Sequence, residues 1–282
     1  MLTLYQSSSL TSQRFIERRN FLHAGFLGLG GLTLPWLLQA KAMAVKSGLP
    51  TFVKDRSVVL LFLGGGASHI ETFNPNGGAS EPYRSVTGEV KTSIPGVSFG
   101  STFPELAKRA HRMAIVRSMQ HERVDHEQSI SMMLTGGTDP DGKRKEGFGM
   151  GAAHARVLGP TVDKALSAFL DDLEQRGLSH RVLTIITGDF GRTPKLNNGG
   201  GRDHWSGLCT LALAGGGLSM GQVIGKSGAK NDVPNSEPIG IEHLLGTIFH
   251  YLFDVASLRL AQGMPREILK LTENTKFIRE LF

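Results

Sequence analysis

The sequence predicts an α/β fold, a three-layer α/β/α sandwich built on a mostly parallel sheet, and three observations carry that expectation. Short apolar runs stop abruptly at glycine clusters, as strands buried on both faces do when the chain turns out at their carboxyl ends. Stretches with apolar residues at helical spacing lie between those runs. Strand and helix patterns alternate along the chain, the arrangement that winds helices over a parallel sheet. The chain has 282 residues, 40% of them hydrophobic and 20% charged, enough to bury one large core.

Taken in order, the first element is an export signal rather than part of the fold. Arg18-Arg19-Asn20-Phe21-Leu22 precedes an uncharged run from Ala24 to Leu38, then Ala40-Lys41-Ala42 and Ala42-Met43-Ala44, small-x-small cleavage sites. This resembles a twin-arginine signal peptide over residues 1–44, leaving a domain at 45–282. The run is short, glycine-rich and interrupted by Pro35, which argues against a membrane span. The implied localisation is periplasmic or extracellular in a bacterium, with the twin-arginine translocase as a partner during export.

Ser57–Leu63 is a continuous apolar run ended by Gly64-Gly65-Gly66 and reads as the first strand, buried on both faces. Phe103–Arg112 carries Phe103, Leu106, Ala107 and Ala110 at helical spacing, and Met113–Val116 follows as a short strand. Thr161–Arg176 sets Val162, Leu166, Phe169, Leu170 and Leu173 on one stripe, with Gly177 as its stop. Val182–Thr187 and Leu208–Ala214 are further buried strands, and Ile241–Phe253 is an amphipathic helix. Gly64-Gly65-Gly66 invites comparison with a dinucleotide fingerprint, but His69 stands where the third glycine belongs.

Charge and cysteine content exclude other classes. The formal charge is +6, and half of it comes from the first 44 residues, where Arg14, Arg18, Arg19 and Lys41 oppose Glu17. So weak an excess, with no basic stripe, gives no footprint for nucleic acid. The single cysteine, Cys209, lies in an apolar run and reads as a buried thiol; one cysteine makes no internal disulfide.

Ligands of such sheets gather beyond the carboxyl ends of the strands. The residues there are Ser68, His69 and Glu71 after the first strand; His121, Asp125 and His126 after the second; and Asp189 and Arg192 after the Val182 strand, with Asp203 and His204 following. Carboxylates and imidazoles drawn from separate segments suit a divalent ion such as Zn, Mn, Mg or Ca. The same residues have structural readings: Asp189 in a turn before Gly191, His204 as a packed loop residue, Asp125 as a helix cap, and Arg192 paired with a carboxylate. A Ser68–His126–Asp125 triad is disfavoured because no Gly-x-Ser-x-Gly elbow surrounds Ser68.

Three segments then become specific together: Leu61 through Pro75 (LFLGGGASHIETFNP), Gly188 through Pro194 (GDFGRTP), and Gly201 through Trp205 (GRDHW). They resemble the signature segments of the DUF1501 family, whose fold is similar to that of alkaline phosphatases and sulfatases. The resemblance implies that Asp189 and His204 match metal ligands of that superfamily, with Asp125, His69 and Glu71 as further candidate ligands. His126–Gly136 resembles the sulfatase segment that begins at the nucleophile and ends in Leu-Thr-Gly, so His126 falls at the nucleophile position. Histidine cannot become formylglycine, so catalysis would need His126, Ser68 or a metal-activated water, with Arg192 holding the anionic oxygen. The implied substrate is an anionic ester or polysaccharide-derived molecule. Members are longer in the middle and carry a Gly-x-Asp-x-His motif there; this chain has only Thr138–Gly159, a truncated central region around 138–160. Two functions therefore stand: a metal-dependent hydrolase of sulfate or phosphate esters, or a non-catalytic exported binding protein on a degenerate hydrolase scaffold.

Overall fold

The computed structural model describes residues 52–135, 152–260 and 276–282. The expected export signal at residues 1–44 and most of the interval 138–160, expected to be truncated, therefore lie outside the described residues. The rest is an α/β structure around a mixed five-stranded sheet.

The sheet strands are β1 (Ser57–Leu63), β4 (Met113–Val116), β5 (Val182–Gly188), β8 (Leu211–Gly215) and β9 (Gln222–Ile224), in the spatial order β1-β5-β8-β4-β9. β1 pairs parallel with β5 and β4 parallel with β9, but β8 runs antiparallel to both β5 and β4. The mostly parallel sheet expected from the alternating pattern gives way here. Leu208–Ala214 follows β5 through a loop and a small ribbon, β6 (Gly191–Arg192) with β7 (His204–Trp205), with no crossover helix, so the strand returns antiparallel. A second ribbon joins β2 (Glu89–Lys91) to β3 (Ser98–Gly100).

Alternation along β4 shows how the core is divided. Ala114 and Val116 belong to one cluster, with Ile241, Leu244 and Ile248 of helix α4 (Ile241–Leu252). Met113 and Ile115 belong to the other, with Leu106 of α1 (Pro104–Lys108) and Leu166 and Leu170 of α3 (Ala152–Gln175). The expected helix at Phe103–Arg112 is α1 followed by a 3-10 turn, Ala110–Arg112. α3 begins nine residues before its expected start and carries Pro160 inside it. Proline reads as a helix start because it lacks the N–H an interior position would use. α2 (His126–Thr135) and α5 (Val255–Leu260) complete the helices.

β1 is the clearest departure. It lies at the edge of the sheet rather than inside it, and Val59 and Leu60 are 38% and 40% exposed. An apolar run alone does not distinguish a central strand from an unprotected edge, since that depends on which segments arrive to pair.

Candidate functional site

β1 and β5 run side by side, so their carboxyl ends deliver Gly64-Gly65-Gly66 and Asp189 to the same point. Asp189 is fully buried, yet its carboxylate is satisfied: it accepts from the Gly65 amide at 3.2 Å and from the Gly66 amide. Gly65 and Gly66 have φ of 94° and 73°, the left-handed region where glycine avoids the cost of a Cβ. In addition, a Cβ on Gly66 would sit 2.5 Å from the Phe190 ring. The two amides form a small nest for a negative charge.

Imidazoles surround this carboxylate. His126, the first residue of α2, brings Nδ1 against the Asp189 carboxylate. Asp125 caps that helix, accepting from the Gln128 amide at 2.8 Å, while Ser129 N–H bonds its carbonyl at 3.1 Å. His121 Nε2 donates to the Asp189 backbone carbonyl at 2.6 Å and its Nδ1 accepts from the Arg123 amide at 3.2 Å. Both nitrogens thus have neutral-form roles, and burial holds its pKa below the ordinary histidine value. His204 in β7 donates from Nδ1 to the Val124 carbonyl at 2.8 Å and meets the His126 ring edge to face, centroids 4.5 Å apart. Phe190 stacks against both rings, at 4.6 Å from His126 and 4.5 Å from His204. Burial lowers the His204 pKa, with the His126 and Arg192 charges adding to the effect. The structure therefore brings Asp189, His126 and His204 together, with His121 behind them.

The other expected site residues are held by hydrogen bonds of their own. Arg192 gives Nε to the Gly66 carbonyl at 2.9 Å, Nη1 to the Arg202 carbonyl at 3.2 Å and Nη2 to the Gly65 carbonyl. Its fork thus fastens the glycine turn to the β6–β7 ribbon. Glu71 is fully buried and accepts from the Ser85 hydroxyl at 2.7 Å, the Val86 and Thr87 amides, and the Thr87 hydroxyl at 2.9 Å. Arg202 Nη2 stands 3.4 Å from it, a buried ion pair that pins the loop at residues 84–87. His69 donates from Nε2 to the Asn231 carbonyl at 3.0 Å, and burial pushes its pKa down to about 4. Ser68 is buried, its hydroxyl accepting only a long 3.4 Å bond from the Glu71 amide. Asp203 accepts from Asn197 Nδ2 at 2.8 Å and stays with its own loop.

This donor set does not fit a divalent ion. Among the described residues no three His, Cys, Asp or Glu side chains are placed to hold a metal. Asp189 already accepts two amides and an imidazole, Glu71 is saturated by hydroxyl, amide and guanidinium donors, and Asp125 faces its helix backbone. The sequence reading named Asp189, His126 and His204 but missed what satisfies the carboxylate: the Gly65 and Gly66 amides, in a glycine cluster read only as a strand stop. Arg202 was likewise inside a recognised segment without a role.

Comparison with known proteins agrees with the segments that carried the resemblance. The chain matches the family model described as "Protein of unknown function (DUF1501)" over residues 55–159 and 148–282. No curated protein and no solved structure matches. With nearly all of the chain after the N-terminal segment matched, the protein belongs to the DUF1501 family.

Proposed function

We propose that the chain is an exported, hydrolase-like protein that cleaves a phosphate or sulfate ester at a histidine–aspartate centre, on a scaffold similar to the three-layer alkaline phosphatase fold. One observation carries the reading: His126 Nδ1 meets the buried Asp189 carboxylate beside His204. Of the three nucleophiles open to this chain, Ser68 is turned into its own buried loop and the described donors do not build a metal shell. His126 remains.

An Nδ1–H bond to Asp189 fixes the tautomer and leaves the Nε2 lone pair available, the logic of a base oriented by a carboxylate. Attack by Nε2 forms a bond to phosphorus or sulfur while the ester oxygen leaves and takes a proton from solvent. Water then displaces the histidine. His204 supports that second step: its Nδ1 is committed to Val124, and a lowered pKa keeps its Nε2 unprotonated and able to accept the water's proton. His126 is 14% exposed and His204 is exposed, so both are open to substrate and water.

The alternative is a non-catalytic binding protein, favoured by the saturation of Asp189 with backbone donors. A panel of aryl phosphates and sulfates separates the two. Turnover should be abolished in His126→Asn, which lacks the nucleophile, and fall at least about 100-fold in Asp189→Asn, which lacks the carboxylate that orients it. A folded wild-type chain inactive on every ester would move the assignment to binding alone.

A further inference from the structure

β1 pairs with β5 on one side and with no described residue on the other. Successive strand residues face opposite sides of a sheet, so the exposure of both Val59 and Leu60 means that cover stops short on both faces. Natural edges are blunted by charge, proline or a bulge. Ser57–Leu63 reads SVVLLFL and has no charge or proline. The flanking chain is committed elsewhere: Val53 bridges Phe253, the Lys54 amide bonds the Leu252 carbonyl, and the Gly65 and Gly66 amides hold Asp189.

We propose that the free edge of β1 is an interaction surface for a second copy of this chain, the two strands pairing antiparallel about Leu60 to make one continuous sheet. The strand's own apolar residues fit a second copy, and charge selects the direction. In-register parallel pairing would set Lys54, Asp55 and Arg56 alongside their own equivalents, three pairs of like charges. Antiparallel pairing about Leu60 sets Lys54 and Arg56 opposite the partner's Gly66 and the partner's Gly64, and no like charges meet. It also places Leu60 opposite the partner's Leu60 on one face and Val59 opposite the partner's Leu61 on the other, so both exposed side chains gain cover. Such pairing is two-fold and self-complementary, and it closes, whereas a head-to-tail contact would continue into fibres. A seven-residue strand on each side is small for an interface, so association is reversible on dilution.

Sedimentation of the full chain across a wide concentration range tests this. The wild type should form a dimer that dissociates on dilution. Leu60→Lys should remain monomeric with an unchanged circular dichroism spectrum, and Val233→Lys, at another exposed apolar residue, should still dimerise. A wild type that stays monomeric throughout, or a dimer that persists in both Leu60→Lys and Val59→Lys, overturns the proposal. Hydrogen exchange on the wild type gives a reading that needs no variant: the β1 amides must gain protection as concentration rises, and no gain overturns it.

Discussion

His69 shows how a residue chosen for chemistry can instead set the protein's tolerance of acid. The residue is 3% exposed, Nε2 is bonded to Asn231, and Nδ1 has no hydrogen-bond partner among the described residues. Burial is the main cause of its low pKa, with Arg202 adding to it, while the Asn231 bond and Glu71 oppose the shift. The folded state therefore binds a proton less readily than the unfolded chain, so this contribution to stability is present above pH 6.5 and is lost as pH falls toward about 4. Within that window the loss should approach about 1.4 kcal/mol per pH unit for one proton. Denaturant unfolding from pH 7 to pH 4 checks it: His69→Gln should flatten the slope, and an equal slope in both proteins would refute the assignment. The Asn231 partner is a non-glycine residue at φ 53° whose side chain ties Asn74 and Ser227 together, so the His69 ring is fastened to the loop at residues 227–231.

Among the elements, α1 depends on a neighbour for its start. Phe103 at its N-terminus supplies no side-chain cap, and Asp163 of α3 does so from outside, accepting from the Glu105 amide at 2.9 Å and the Leu106 amide at 2.7 Å. Asp163→Ala should lower stability by about 1–2 kcal/mol, the upper range of cap removals, while Asp163→Asn retains most of it; thermal unfolding of both variants measures this. Arg109 and Arg112 reinforce the same contact by sharing Asp171, whose carboxyl their guanidinium groups hold down to about 2. Such cross-element bonds are invisible to periodicity, which explains what the sequence did and did not reveal. β1 and β4 were legible to the residue, and β5 and α4 nearly so, because each is a dense apolar pattern with clear stops. β2, β3 and β9 were not, being three residues each and partly exposed. Strand direction was misread because periodicity carries no information about pairing. At the site, Asp189, His126 and His204 were legible as residue types at strand ends. The bonds that Glu71 and Arg192 make needed the positions of Arg202, the loop at residues 84–87 and the glycine turn.

Across the whole molecule, the matched family segments begin at residue 55, and the described chain begins at Phe52. Export by the twin-arginine route predicts that Arg18→Lys with Arg19→Lys leaves the protein in the cytoplasm, whereas the wild type is recovered outside it with a new N-terminus near residue 45. Cell fractionation with N-terminal sequencing decides this, and export unaffected by the double change would exclude the route. No helix among the described residues is long and apolar enough to cross a membrane.

The bond between Gly65 and Asp189 closes a span of 124 residues. On a ribosome adding about 5–20 residues per second, β1 therefore emerges on the order of ten seconds before β5 exists to receive it. Throughout that interval an uncharged, strand-forming segment waits in the cytosol without its partner, a natural client for a holding chaperone. Slowing translation between residues 64 and 182 lengthens that wait and should lower the yield of folded protein, which pulse-labelling with a soluble-fraction assay measures.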